Sequence, residues 1–429
     1  MCGFTITKTP IPNLIKHRGV TEQNVEFNNW FINFNSLPLS SHGTNISQPV
    51  KTPRGYFVFN GEIFNYSSMK GKFRSDLHYL ESLFRNDDII TVYEESVKWD
   101  GFWSIAYISN DSIWFFTDWL GKKQLYYSSN GISSEIKPLL DNNDLMPYND
   151  SVYETSNTPF SGIGRVMPGS LYRYTITNNL PNKSVNFGKL YWQTKYSISD
   201  IPMLIERSVN DRIENRMDGV SLLLSGGLDS NIILHHLKGK NVDVISIDND
   251  ERETVEIVAN SSNLNVRFVD YNEEYDINEI VKAYEHPLDY GSLIPNYILF
   301  GKANNHLVLT GDGSDELFGG YRRNLESDTR AYDLAELMYY HNVRLDRMSM
   351  IHTKEVRSPL MSMDLARVSK YLPYEVRKNK SVLREIYKDL LPKEVINGTK
   401  KPLRKDGDKQ SNLDLVSKTF NSIFNQNNK

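Results

Sequence analysis

The rhythm of apolar and polar positions changes once along the chain. Up to about Trp192, short apolar runs such as FVFNGEIF, SIAYIS and SIWFFT are rich in aromatic and β-branched residues and are separated by Asn, Gly, Asp and Ser. That pattern predicts antiparallel strands joined by turns. One helix is predicted near Asp76 to Phe84, where Leu77, Leu80 and Leu83 recur at helical spacing. From about Asn178 to Ser199 the text is polar and poorly periodic, and it reads as a linker. Beyond it Ile201, Leu204, Ile205, Val209 and Ile213 form one face of an amphipathic helix. VSLLL, VDVISI and LVLT then read as short buried strands alternating with helices, which implies an α/β domain with a parallel sheet. After Tyr321 the text reads as mostly helical, and the tail from Asp406 as polar and peripheral.

Composition narrows the class. A chain of 429 residues is too long for one ordinary core and suits two domains. A net charge of -4 lacks the basic excess of a nucleic-acid binder. Cys2 is the sole cysteine, which excludes an intramolecular disulfide and fits a reducing compartment. The start, MCGFTITKTPIPNL, lacks the charged and apolar segments of a signal peptide, and no apolar run approaches the ~20 residues of a membrane span. A cytoplasmic location is the expectation.

The strongest local motif is VSLLLSGGLDSNIILHHL, residues 220–237. An apolar strand feeds a Ser-Gly-Gly turn and a helix follows at once, so backbone N–H groups converge on one point and form an anion site. Gly226 and Gly227 permit close backbone approach, Ser225 and Ser230 add hydroxyls, and no Walker-type lysine is present. Asp229 would repel a bare phosphate, so its place in the motif implies an intervening cation such as Mg²⁺. SGG alone marks many strand-to-helix turns, and the whole string SGGLDS is what makes the signal specific. A second motif, HLVLTGDGSDELFGGYRR at 306–323, ends another buried strand and gathers Asp312, Asp315 and Glu316. Three carboxylates so close need a cation or a proton between them, and two strand ends of one parallel sheet can border one crevice.

SGGLDS resembles the pyrophosphate loop of N-type ATP pyrophosphatases. With TGDGSDELFGGY, LDRMSM at 345–350, EVRSP at 355–359 and KSVLREIYKDLLP at 380–392, the chain resembles the asparagine synthetase family. The N-terminal half is similar to that family's class II glutamine amidotransferase domain through MCGF, HRG at 17–19, NGEIFNY at 60–66, SD at 75–76, DGFWSIAY at 100–107, LGKKQLYY at 120–127 and SEIKPLL at 134–140. The resemblance implies an α+β first domain over 1–190, an antiparallel β sandwich flanked by helices and of the N-terminal nucleophile type. An α/β synthetase domain over 200–410 with a helical C-terminal part and a polar tail over 411–429 would follow.

The resemblance also implies a chemistry. Met1 would be removed, leaving the Cys2 thiolate to attack the glutamine carboxamide while its own α-amino group acts as base. Asn60 and the Gly61 N–H would form the oxyanion hole, and Ser36, Asn60, Gly61, Glu62 and Asp76 would line the glutamine site. In the second domain Leu223, Ser225, Gly226, Gly227, Asp229, Ser230, Ile247, Thr310 and Gly311 would border ATP. Asp229 and Asp315 would hold Mg²⁺, Lys380 would stabilise the transition state and Asp312 would accept a proton from ammonia. The substrates implied are glutamine, aspartate and ATP, and the assembly implied is a homodimer.

The sequence departs from the family pattern at several positions. Ser36 stands where an arginine pairs with the glutamine α-carboxylate, a loss of roughly 1.5 to 3 kcal/mol if nothing replaces it. Arg18 is a candidate replacement. Val20 stands for a proline, Thr117 for an arginine, and Asp312 for a glutamate one methylene longer. The chain also ends sooner after KSVLRE than most members do. Alternatives are therefore an amidotransferase for another carboxylate, a cyclising synthetase, an ammonia-dependent member, or an inactive scaffold.

Overall fold

The computed structural model describes residues 2–39, 47–69, 71–141, 145–146, 157–175, 180–186, 194–214, 219–289, 292–399, 403 and 408–424. Its residues cluster into two compact units. The first holds residues up to 193 with Met338–Asp346 and the residues from Ser422, and the second holds Thr194–Leu337 and Arg347–Asn421.

In the first unit the strands are β1 (Cys2–Thr7), β2 (Thr21–Phe27), β3 (Trp30–Ser36), β4 (Val50–Thr52), β5 (Gly55–Ile63) and β6 (Gly101–Ile108). They continue as β7 (Ser112–Thr117), β8 (Tyr126–Ser128), β9 (Gly131–Ser133), β10 (Gly164–Arg165), β11 (Ser170–Thr175) and β12 (Asn182–Asn186). One antiparallel sheet has the order β10-β8-β9-β1-β3-β2 and the other β12-β11-β7-β6-β5-β4. Helices α1 (Asp76–Asn86) and α2 (Ile89–Glu95) supply a third layer.

Side-chain alternation explains the layering. Along β5 and β6, Val58, Ala106 and Ile108 join Phe4, Ile6, Ile32 and Phe34 in one core between the sheets. Their neighbours Phe57, Phe59, Ile105 and Tyr107 join Leu80, Phe84, Val92 and Tyr93 of α1 and α2 in a second core. The second sheet is thus covered on both faces, which is why every residue of GFWSIAYI in β6 is buried. TEQNVEF of β2, by contrast, is an exposed polar edge.

In the second unit β13 (Val220–Leu223), β14 (Val242–Asp248), β15 (Val266–Asp270), β16 (Leu307–Leu309) and β17 (Glu355–Arg357) form a parallel sheet ordered β15-β14-β13-β16-β17. Helices α3 (Ile201–Ile213), α4 (Leu228–His236) and α5 (Arg252–Ser262) alternate with the first of these strands, followed by α6 (Ile277–Tyr284), α7 (Leu293–Lys302) and α8 (Ser314–Phe318). The predicted helix at 201–213 and the three buried strands are all present.

Two expectations need correction. The stretch read as a linker contains β12, whose polar residues pair with β11 as an edge strand that needs no apolar face; residues 178–179 and 187–193 of it lie outside the described residues. The polar tail contains a helix, Asp408–Phe424, whose buried Val416, Phe420 and Phe424 recur every fourth position on one face. Phe424 meets Phe160 edge to face at 5.2 Å. Residues 425–429 of the tail are outside the described residues. The stretch after Tyr321 is mostly helical, as expected, with one short strand, β17, whose polar Glu355 and Arg357 hide it from a hydrophobicity reading. Both are fully buried because they pair with each other and Arg357 donates to the Arg212 carbonyl at 2.7 Å.

Candidate active sites

Cys2 opens β1 directly opposite Ser36 on β3. Its backbone N–H donates to Asn60 Oδ1 at 3.1 Å, and its Sγ lies 3.9 Å from the Ser36 hydroxyl. The glycine that follows is required, since a Cβ at Gly3 would stand 2.5 Å from Arg18 Cδ. Asn60, Gly61 and Glu62 are consecutive on β5, with Asn60 fully buried and its Nδ2 facing Ser104 Oγ at 3.4 Å. Gly61 has φ +153°, and a Cβ there would lie 2.1 Å from the Phe102 carbonyl oxygen, so no other residue fits. At the end of this strand Asp76 accepts the Ile63 N–H at 3.1 Å and its own Leu77 N–H at 2.7 Å. Ser75 caps α1 by accepting from the His78 N–H, which fixes where Asp76 sits. The fold therefore brings Cys2, Ser36 and Asn60 together and seats Gly61, Glu62 and Asp76 along and beyond the same strand.

Arg18 is committed elsewhere. Its Nε donates to the Cys2 carbonyl at 3.2 Å, Nη1 to Glu135 at 2.8 Å and Asp346 at 2.9 Å, and Nη2 to Asp346 at 3.1 Å. Lys123 stands 2.5 Å from Asp346, and His17 2.8 Å from Glu135. The strings HRG, LGKK, SEIK and LDRM, scattered along the sequence, thus meet in one buried charge cluster behind the thiol. Removing one member strands its partners without compensation. Asp346→Ala is expected to lower unfolding free energy by about 3–5 kcal/mol, read from urea midpoints; a change within the range of ordinary surface substitutions would mean that the cluster is not a structural unit. Thr117, at the position of a family arginine, is fully buried, and the Asp118 carboxylate beside it accepts N–H groups from Trp103, Leu120, Lys122 and Lys123, ordering that loop.

In the second unit SGGLDS joins β13 to α4. The Ser225 N–H donates to Ser230 Oγ at 3.0 Å and the Gly227 N–H to Ser225 Oγ at 3.1 Å, so the loop is bound to its own hydroxyls. A Cβ at Gly226 would stand 3.0 Å from Thr254 Cβ. Leu223, Ile247 and Thr310 lie at or just beyond the carboxyl ends of three adjacent parallel strands, the place where such sheets take ligands. Gly311 lets the two loops touch: a Cβ there would be 2.8 Å from Asp229 Cβ and 2.9 Å from the Ser230 nitrogen.

The carboxylates gather at this junction. Lys380 Nζ is 2.5 Å from Asp229 Oδ2 and 2.5 Å from Asp315 Oδ1, bridging the two motifs. Asp229 Oδ1 is buried with no hydrogen-bond partner among the described residues. Half-buried Asp312 lies in the turn before α8. Glu316 is buried and accepts from the Tyr321 hydroxyl at 2.6 Å; burial, with the Asp315 charge adding to it, pushes its carboxyl up to about 8. Among the described residues no group of three or more His, Cys, Asp or Glu side chains is set to hold a metal ion. Asp229 and Asp315 supply two hard oxygen donors of the kind that suit Mg²⁺.

The model of the asparagine synthase family matches residues 201–332 and 326–428, and that of the glutamine amidotransferase domain matches residues 7–184. The chain belongs to the asparagine synthase family. A Methanocaldococcus jannaschii protein provisionally described as a glutamine-hydrolyzing asparagine synthetase is 26% identical over 80% of this chain and 70% of its own. Glutamine-hydrolyzing asparagine synthetases of Bacillus subtilis (25%, over 62% of this chain and 48% of that one) and Cricetulus griseus (24%, over 81% and 72%) are similar as well. Among solved structures the glutamine phosphoribosylpyrophosphate amidotransferase of Bacillus subtilis matches at 11% identity and a TM-score of 0.31, covering 62% of this chain and 65% of that one.

Within this asparagine synthase family member two supporting residues escaped the motif reading. Asn231 donates to the carbonyls of Ser225 at 3.0 Å and Gly227 at 2.7 Å, holding the SGGLDS loop from the first turn of α4. Its place directly after SGGLDS was the available signal. Arg384, inside KSVLREIY, donates to the Asn379 carbonyl at 2.9 Å and the Gly398 carbonyl at 3.0 Å. It fixes the turn that carries Lys380, a role with no one-dimensional signature.

Proposed function

We propose that the protein is a glutamine-dependent asparagine synthetase. The observation that carries this reading is the meeting of Asp229 from SGGLDS and Asp315 from TGDGSDELF at Lys380, alongside Cys2 on Asn60 in the other unit. Once Met1 is removed, the Cys2 nitrogen becomes an amine that takes the thiol proton. The thiolate attacks the glutamine carboxamide carbon, and the Asn60 amide and Gly61 N–H receive the oxyanion. The C–N bond breaks with proton return to nitrogen, ammonia leaves, and water hydrolyses the thioester to glutamate.

At the second site the aspartate side-chain carboxylate attacks the α-phosphorus of ATP and pyrophosphate departs. Mg²⁺ on Asp229 and Asp315 would supply charge neutralisation to the pyrophosphate. Ser225, Gly226, Gly227 and Ser230 bind phosphate oxygens, and Lys380 adds a positive charge where negative charge accumulates. Ammonia then displaces AMP, and Asp312 takes the surplus proton. A single cysteine fits a reducing, cytoplasmic setting; among the described residues no helix is long and apolar enough to cross a membrane.

A second reading, use of free ammonia, is favoured by one observation. Ser36 replaces the arginine, and Arg18 is bound to Glu135 and Asp346 rather than presented to a ligand carboxylate. One assay separates the readings: ATP, Mg²⁺ and aspartate with either glutamine or ammonium, following pyrophosphate and asparagine. Asparagine from both nitrogen sources supports the first reading, and asparagine from ammonium alone the second. Pyrophosphate release that ignores aspartate would overturn both.

A further inference from the structure

Lys380 is the third partner of two carboxylates that the proposed function gives to a metal. Its ammonium, 2.5 Å from each, stands where a cation bridging them would stand. A magnesium ion needs its oxygen ligands at ~2.1 Å, so the ammonium and a bridging metal exclude one another.

The placement of that ammonium is built into the backbone. Asn379 and Lys380 both adopt left-handed conformations, φ +54° and +56°, which non-glycine residues adopt only when their surroundings hold them there. Here the Asn379 N–H donates to the Gly319 carbonyl at 2.9 Å and the Asn379 carbonyl is held by Arg384. At Gly320 a Cβ would lie 2.1 Å from Lys380 Cε and 2.0 Å from Asp315 Oδ1, so glycine there leaves the lysine its path. Lys380 itself is buried at 5% exposure, its charge answered by the two aspartates.

We propose that Lys380 closes Asp229 and Asp315 to a free divalent cation, so that the metal enters only together with nucleotide phosphates. Those phosphates accept the ammonium as it leaves the carboxylates. The inference rests on the metal role given to Asp229 and Asp315 above. It adds an order of binding: metal and nucleotide arrive as one, and a free metal ion does not prime the site.

Mn²⁺ is the probe, titrated into the full chain and followed by its electron paramagnetic resonance signal. Without nucleotide, Lys380→Met should bind Mn²⁺ at least about tenfold more tightly than the parent, since one positive charge beside two carboxylates has gone. Lys380→Arg, which keeps the charge, should stay as weak as the parent. The parent should take up Mn²⁺ once a non-hydrolysable ATP analogue is added, an arm that holds even if Lys380→Met misfolds. Asp229→Asn placed on Lys380→Met should lose the gained affinity. Equal nucleotide-free affinity for the parent and Lys380→Met, or strong Mn²⁺ binding by the parent alone, overturns the closure while leaving the metal assignment standing. No Mn²⁺ uptake by any form, analogue included, overturns the metal assignment and the closure with it. Neither result depends on asparagine being the product.

Discussion

Cys2→Ala abolishes release of glutamate from glutamine, by roughly 10⁴-fold or more, and leaves ammonium-supported pyrophosphate formation at the parental level. The alanine removes the proposed nucleophile alone. Asn60, Gly61 and the Arg18 cluster are untouched, and β1 keeps its backbone pairing to β3 from the Cys2–Ser36 pair onward. The thiol is half-buried, packs at the edge of the core between the sheets and lies 3.9 Å from the Ser36 hydroxyl, and its loss removes a single sulfur atom, so the substitution opens no large cavity. In the proposed mechanism amide cleavage needs a thiolate as covalent acceptor for the acyl group, and the neighbouring Ser36 hydroxyl is a far weaker nucleophile. Two coupled assays check this, glutamate from glutamine and pyrophosphate with ammonium chloride. Persistent glutaminase activity would dismiss Cys2 as the nucleophile, and loss of both activities in a folded variant would show that the two chemistries are not separable.

Asp229→Asn should lower pyrophosphate formation by about 10²–10³-fold with either nitrogen source, while glutamate release from glutamine persists. The change is isosteric and removes one charge from a buried site in which Asp229 pairs with Lys380 and keeps one carboxylate oxygen without a hydrogen-bond partner among the described residues. Without that charge the proposed metal loses one of two anchoring carboxylates, and Lys380 retains Asp315 alone. Asp315→Asn should match it in size, because the two aspartates hold Lys380 at equal distances. A parental rate of pyrophosphate release in Asp229→Asn would refute its proposed role at the phosphates.

Residue pattern made some of this legible and left the rest hidden. SGGLDS between an apolar strand and a helix could be placed because a tight turn, a strand end and a helix N-terminus are all local. Short runs of aromatic and β-branched residues between turn formers marked β5, β6 and β7, and helical spacing marked α1 and α3. Elements held by their partners were the ones missed. NKSVN of β12 becomes a strand only by pairing with β11, and EVR of β17 can be buried only because Glu355 and Arg357 neutralise each other. The helix at 408–424 hid in polar text the stripe it buries, Val416, Phe420 and Phe424. Arg18 was a plausible substitute for the missing arginine until its guanidinium was found on Asp346, 328 positions away in sequence.

The sequence by itself determined the type of the strongly patterned elements, the strand-turn-helix form of the SGGLDS segment, the identity of the chemical groups and the absence of an arginine at Ser36. Those follow from short-range sterics and from residue chemistry, which need no knowledge of distant partners. Only the tertiary structure decided that Cys2 lies on Asn60 and beside Ser36, that HRG, LGKK, SEIK and LDRM share one buried charge cluster, and that Lys380 spans Asp229 and Asp315. Each of those depends on bringing together residues far apart along the chain. Their attraction is settled by burial and by the geometry of packed sheets and helices, and none of that is written in spacing along one dimension.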